Sequence, residues 1–180
     1  MTTCIALLRG VNVGKAKRVP MADLRDLLAG LGFTDVATLL NSGNEVFRAR
    51  SGATRAIASD IAAAIARRLK VEVPVIVKSA REFDSIVVGN PFSVAAADYS
   101  RFLVAFTQRR ADLAALSALE PLVGPQERFT VGPEAAYLYC AGGILESRAA
   151  EALLGKLGRS ATTRNLATTL KLHGLAQGDR

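Results

Sequence analysis

The chain is predicted to fold as an α+β protein, and three observations carry that expectation. Short apolar runs of strand length alternate with longer segments whose apolar residues recur at helical spacing. In the first half these follow the order βαββαβ. In the second half the order βαββα returns, with no obvious last strand. At 180 residues, half of them hydrophobic and 22% charged, the chain can bury a core without a metal or a disulfide.

Ile5–Leu8 is a continuous apolar run, the mark of a strand buried on both faces. A polar, glycine-containing stretch, Arg9 to Pro20, leads to a helix over Met21–Leu31. Its Met21, Leu24, Leu27, Leu28 and Leu31 share one face, and Gly32 ends it. Val36–Leu40 and Glu45–Arg48 read as strands joined by the turn Asn41-Ser42-Gly43-Asn44, whose Asn and Gly residues tolerate positive φ. After the break at Ser51-Gly52, Ala53–Leu69 reads as a helix with Ile57, Ile61, Ala64 and Ile65 on one side. Val71–Val77 is the fourth strand.

A connecting helix, Ala80–Val88, is stopped by Gly89-Asn90-Pro91. Arg101–Thr107 reads as a strand and Ala111–Leu119 as a helix. Arg128–Val131 and Ala136–Cys140 are strands across Gly132-Pro133-Glu134, and Ile144–Leu157 is mostly helix. The tail, Thr163–Ala176, reads as a further helix. The expectation is two ferredoxin-like subdomains, residues 1–79 and 100–180, joined by a connecting helix and linker over 80–99, with the second copy degenerate.

Net charge is +7. Residues 1–90 hold 13 basic and 8 acidic side chains, against 10 and 8 in residues 91–180, so most of the excess lies in the first half. Its most local source is Arg9, Lys15, Lys17 and Arg18. This balance favours an anionic partner. Cys4 and Cys140 sit in separate apolar runs, which points to buried thiols in a reducing compartment. No run of 18 or more apolar residues occurs, and the N-terminus lacks the basic start of a signal peptide, so a cytoplasmic location without membrane attachment is expected.

The residues that look placed for more than packing fall in three groups. The first is the loop Arg9-Gly10-Val11-Asn12-Val13-Gly14-Lys15, where glycine frees backbone N–H groups beside cations, the makings of a phosphate or carboxylate cradle. It is no P-loop: the spacing is one short, and Ala16 stands where a magnesium-binding Ser or Thr is needed. Asn12, between two valines, is expected to turn its amide to the backbone or to a ligand. The second group is Ser42 and Asn44, in a turn that hairpin geometry alone would explain. The third is Arg164 and Asn165. Thr162 and Thr163 are expected to cap a helix there, and Arg164 in its first turn would oppose the helix dipole and call for an anion.

Four motifs carry a resemblance. They are Ala6-Leu7-Leu8-Arg9-Gly10-Val11-Asn12-Val13-Gly14, Val19-Pro20-Met21-Ala22-Asp23-Leu24, Asn41-Ser42-Gly43-Asn44, and Ala161-Thr162-Thr163-Arg164-Asn165 followed by Thr168-Thr169-Leu170. In this order they resemble the signature of the bacterial family known as domain of unknown function 1697 (DUF1697). The resemblance implies a two-subdomain α+β fold and no particular activity. Leu166 departs from it, because the pattern leads one to expect an aromatic residue after the Arg-Asn pair.

The leading functional expectation is a small anionic ligand, such as a metabolite or nucleotide bearing phosphate or carboxylate. If Arg9 and Arg164 meet across the two halves, their guanidinium forks would make a cleft suited to it. Nucleic-acid binding through the basic loop is an alternative. Stacking of bases on the sheet is disfavoured by a first strand without aromatics and a total of only 6% aromatic residues. A non-catalytic scaffold is the third reading. One histidine, His173, and two separated cysteines cannot build a zinc site, so no metal or cofactor is expected. No acid–base dyad stands out that would dictate a reaction.

Overall fold

The computed structural model describes residues 1–14, 17–50 and 52–178; Lys15, Ala16, Ser51, Asp179 and Arg180 lie outside them. In chain order the strands are β1 (Thr2–Leu8), β2 (Thr34–Thr38), β3 (Asn44–Ala49), β4 (Val75–Ser79), β5 (Phe102–Thr107), β6 (Arg128–Val131), β7 (Ala136–Tyr139) and β8 (Ala161–Asn165). The α-helices are α1 (Met21–Gly30), α2 (Thr54–Leu69), α3 (Ala80–Val88), α4 (Arg110–Ala115), α5 (Arg148–Leu154) and α6 (Leu166–Gln177). The chain divides into two compact units, residues 1–83 with 172–180 and residues 84–171.

In the first unit the sheet order is β2-β3-β1-β4, and every neighbour pair is antiparallel. Cys4, Ala6 and Leu8 alternate to one face of β1 and join Phe47, Ala49 and Val77 under Leu24, Leu27 and Leu28 of α1 and Ile57, Ile61 and Ile65 of α2. Each of these large aliphatic residues contributes about 1.5–3 kcal/mol by leaving water. The opposite face of the same strands, with Ile5, Leu7, Asn44, Val46, Ile76 and Lys78, is buried too. That explains why β1 is apolar at every position from Cys4 to Leu8 rather than at alternate ones.

In the second unit the order is β6-β7-β5-β8, again antiparallel throughout. Leu103, Ala105, Ala136, Leu138 and Cys140 form a core with Leu113, Leu116, Leu119, Ala149, Ala150 and Leu153. Written from its own first strand, this order is the same as that of the first unit.

Two expectations are corrected. The second half is not degenerate: β8 pairs with β5 from Leu103↔Asn165 to Thr107↔Ala161 and supplies its fourth strand. Thr favours helix caps, but β-branched Thr162 and Thr163 suit a strand equally, and the open edge of β5 decides between them. The fourth strand of the first unit also lies later than expected, over Val75–Ser79. Lys70, at φ 57°, ends α2 in a left-handed turn, and Pro74 has no N–H to give a ladder.

Smaller shifts follow local chemistry. The stretch expected as helix over Ile144–Leu157 is a single 3-10 turn, Ile144–Glu146, then α5, with the Ser147 hydroxyl accepting from the Ala150 N–H as its cap. Gly158 is held in close approach behind it. A Cβ built there would stand 1.7 Å from the Leu153 carbonyl oxygen, so only glycine fits.

Candidate functional site

The loop after β1 is pinned at both ends by apolar side chains. Val11 and Val19 are buried in the core beneath α1, whereas Val13, Gly14, Lys17 and Arg18 are exposed. At its start the Leu8 N–H donates to the Gly43 carbonyl at 2.9 Å, and the Arg9 N–H donates to the Pro74 carbonyl at 3.0 Å.

Asn12 closes the loop on itself. Its backbone has φ 56°, a left-handed conformation that Asn tolerates better than most residues. Its N–H donates to the Lys17 carbonyl at 3.1 Å. Its Nδ2 donates to the Val19 carbonyl at 2.9 Å, and its Oδ1 accepts from the Val19 N–H at 2.9 Å. The carboxamide thus pairs with a peptide unit as another strand would. The same Nδ2 lies 3.1 Å from the Asn41 carbonyl and 3.4 Å from Asn41 Oδ1. Two motifs some 30 residues apart in sequence are therefore one structure.

The hairpin turn completes it. Gly43 has φ 74°, and a Cβ there would stand 2.6 Å from Leu8 Cβ and 2.8 Å from Val11 Cγ2. Asn44 is fully buried. Its Nδ2 donates to the Leu39 carbonyl at 3.0 Å and to Ser42 Oγ at 2.9 Å. Ser42 and Asn44 therefore hold the turn, and Asn12 holds turn and loop together. Arg9 and Gly10 stand at the same end of the sheet, with Arg9 half-buried and Gly10 exposed at φ 65°. Burial lowers the pKa of the Arg9 guanidinium from its ordinary value.

Glu45 was not singled out by sequence reasoning. It points to the helix-covered face, as its pairing with Ala6 requires, and is completely buried. The Thr38 hydroxyl donates to its Oε2 at 2.9 Å, and Arg25 Nη1 donates to Thr38 Oγ1 at 3.3 Å. Its Oε1 has no hydrogen-bond partner among the described residues. Burial pushes its pKa up to about 7, and the Thr38 hydrogen bond and the Arg25 charge only partly oppose this. The signal was present: in Glu45-Val46-Phe47-Arg48-Ala49 the inward alternation of Phe47 and Ala49 includes Glu45.

Arg164 and Asn165 lie in the other unit from Arg9. Arg164 is in β8, opposite Val104, and not in the first turn of a helix, so the expected opposition to a helix dipole is corrected. Its Nη1 donates to Thr162 Oγ1 at 3.0 Å and to the Thr163 carbonyl at 2.7 Å. Burial lowers its pKa to about 10. Asn165, rather than Thr162 or Thr163, starts α6: its Oδ1 accepts from the Thr168 N–H at 2.9 Å, and its carbonyl accepts from the Thr169 hydroxyl at 2.9 Å. Leu166, where the motif suggested an aromatic residue, is buried at the start of α6.

Both cysteines are buried free thiols, and burial raises the pKa of each, that of Cys4 to about 11. Among the described residues no group of three His, Cys, Asp or Glu side chains could hold a metal ion, and no helix is long and apolar enough to cross a membrane.

The fold and this end of the sheet define an α+β protein with two four-stranded antiparallel sheets and a glycine-bearing basic loop clamped onto a hairpin. The chain belongs to the family described as protein of unknown function (DUF1697), whose sequence profile matches residues 1–137 and so includes both loop and turn. It is similar to the conserved bacterial protein SP0830 from Streptococcus pneumoniae at 23% identity, covering 97% of this chain and 98% of that one, with a TM-score of 0.80. At that identity the likeness is one of fold. No curated protein matches the chain.

Proposed function

We propose that the protein binds small anions bearing phosphate or carboxylate, with Arg9 as the candidate contact in the first unit and, separately, Arg164 in the second, and that each unit is a ferredoxin-like βαββαβ module. The strand order repeated in both units supports the second statement. One observation carries the first. Both arginines singled out in the sequence are guanidiniums whose charged form burial disfavours. A cation that has given up part of its hydration gains most from a bidentate anion. Beside Arg9, Gly10 and Gly14 have positive φ and open space where a Cβ would stand, which leaves backbone accessible to a ligand without side chains in the way.

A thermal-shift series with inorganic phosphate, nucleotides and dicarboxylates tests this on the whole protein. An anion at about 100 times its dissociation constant adds roughly 2.7 kcal/mol, a rise of several degrees. We expect such a rise with at least one small anion, and its loss in Arg9→Ala or Arg164→Ala. Failure of every anion to raise the melting temperature overturns the reading.

A further inference from the structure

A cavity of about 330 Å³ opens in the second unit, beside the stretch that follows α3. Phe92, Tyr99, Leu166 and Leu170 supply its apolar and aromatic wall, and Asn90 and Ser93 its polar one. Ligand pockets usually run from roughly 300 to 1,000 Å³, so this one is sized for one ring system rather than a long chain. Asn90 is oriented by the chain beside it: its Oδ1 accepts from the Phe92 N–H at 3.0 Å. That leaves the donors of its Nδ2 without a hydrogen-bond partner among the described residues.

Phe92 also belongs to a second arrangement. The guanidinium carbon of Arg128 stands 5.5 Å from the centroid of the Phe92 ring and 4.8 Å from that of Tyr139. Both distances fall within the roughly 6 Å over which a ring face attracts a cation. These contacts restrain the guanidinium and leave its N–H donors unspent, because no hydrogen bond or ion pair takes them up among the described residues. The acid that Tyr139 also touches, Asp98, is committed elsewhere: it accepts from the Tyr139 hydroxyl at 3.3 Å and pairs with Arg101 at 3.7 Å. Arg128 is exposed, a hydrated cation held in place one ring away from the cavity.

We propose that the cavity and Arg128 form one binding site for a small heteroaromatic anion, with its ring in the cavity against Phe92 and its phosphate or carboxylate on Arg128. A flat ring matches an aromatic wall, since every such ring has a face to stack. The Asn90 amide meets an acceptor on the ring edge, a nitrogen or a carbonyl oxygen. The Arg128 fork meets two oxygens of the anion. Neither Arg9 nor Arg164 is a contact of this site, so it stands or falls separately from the reading above.

Calorimetry on the whole protein tests it, with uridine and adenosine monophosphates as phosphate-bearing probes and indole-3-acetate as the carboxylate-bearing one. At least one is expected to bind, and which one says whether phosphate or carboxylate is preferred. The nucleosides, which lack the anion, and ribose 5-phosphate, which lacks the ring, should each bind roughly tenfold more weakly or worse. Arg128→Ala should lose roughly tenfold or more in affinity. Ser93→Trp, which puts a ring into the cavity from an exposed position, should abolish binding. In the unmodified protein, the Phe92 ring protons and the Arg128 Hε signal should shift together and saturate as the probe is added. Signals that stay still while the probe saturates the protein overturn the site, with no variant needed. Undiminished binding in Arg128→Ala or in Ser93→Trp overturns it too, and leaves the reading built on Arg9 and Arg164 intact. Ribose 5-phosphate binding as tightly as the nucleotides, or no binding of any ring-bearing anion, overturns it equally.

Discussion

The carboxamide of Asn12 and the peptide of Val19 bond to each other in both directions, each bond 2.9 Å long. The loop between β1 and α1 is thereby closed at a fixed length. Lys17 and Arg18 are exposed on it, and Val11 and Val19 stay in the core. Replacing Asn12 by Ala removes these bonds and the link to Asn41. It also puts a less tolerant residue at φ 56°. We expect a loss of about 2–3 kcal/mol in urea denaturation. Asn12→Gly, which keeps the backbone conformation, should lose less. Asn12→Asp should be the worst of the three, because a carboxylate would face the Val19 and Asn41 carbonyls.

Gly43 admits no other residue. The Cβ of an alanine would be 2.6 Å from Leu8 Cβ, on a backbone at φ 74°. Overpacking and left-handed strain together should cost Gly43→Ala about 2–4 kcal/mol. The hairpin should loosen with it, visible as faster amide exchange at Leu8 and Leu39, whose N–H groups bond to Gly43 and Asn44. An unchanged melting temperature would contradict the contact.

Glu45 makes stability depend on pH. Its pKa rises from an ordinary 4.5 in the unfolded chain to about 7 in the fold, so the folded state holds its proton more tightly. The stabilisation is complete below pH 4.5 and is lost as pH rises through 7. Glu45→Gln should flatten that part of the profile and gain stability at pH 8, by on the order of 1–3 kcal/mol. The check is the difference between parent and variant urea midpoints at pH 5 and pH 8. Equal differences at the two pH values would place the carboxyl's titration outside this window.

Tyr137 is the largest fully buried side chain of the second unit, and its hydroxyl donates to the Ile86 carbonyl at 2.6 Å. Burial, with Glu134 nearby, pushes its pKa up to about 12. Tyr137→Phe leaves that carbonyl without its donor and should cost about 1–2 kcal/mol at any pH between 5 and 9. A loss confined to one end of that range would point to a different cause.

Much of this protein was determined by local sequence. The helices over Met21–Gly30 and Thr54–Leu69 follow from apolar spacing, and β1 follows from an unbroken apolar run. The turn at Asn41–Asn44 follows from residues that accept positive φ. Tertiary structure decided the rest, because the deciding partners are distant in the chain. Thr162 and Thr163 become strand because β5 offers an open edge some 60 residues earlier, a fact no local window contains. Asn12 and Asn41 become one clamp only when β1 and β3 pair. The charges show the same division. Arg9, Arg164 and Glu45 could all be read as ordinary solvated side chains. Burial, a property of the folded chain, makes two of them poorly hydrated cations and the third a carboxylic acid that titrates near neutrality.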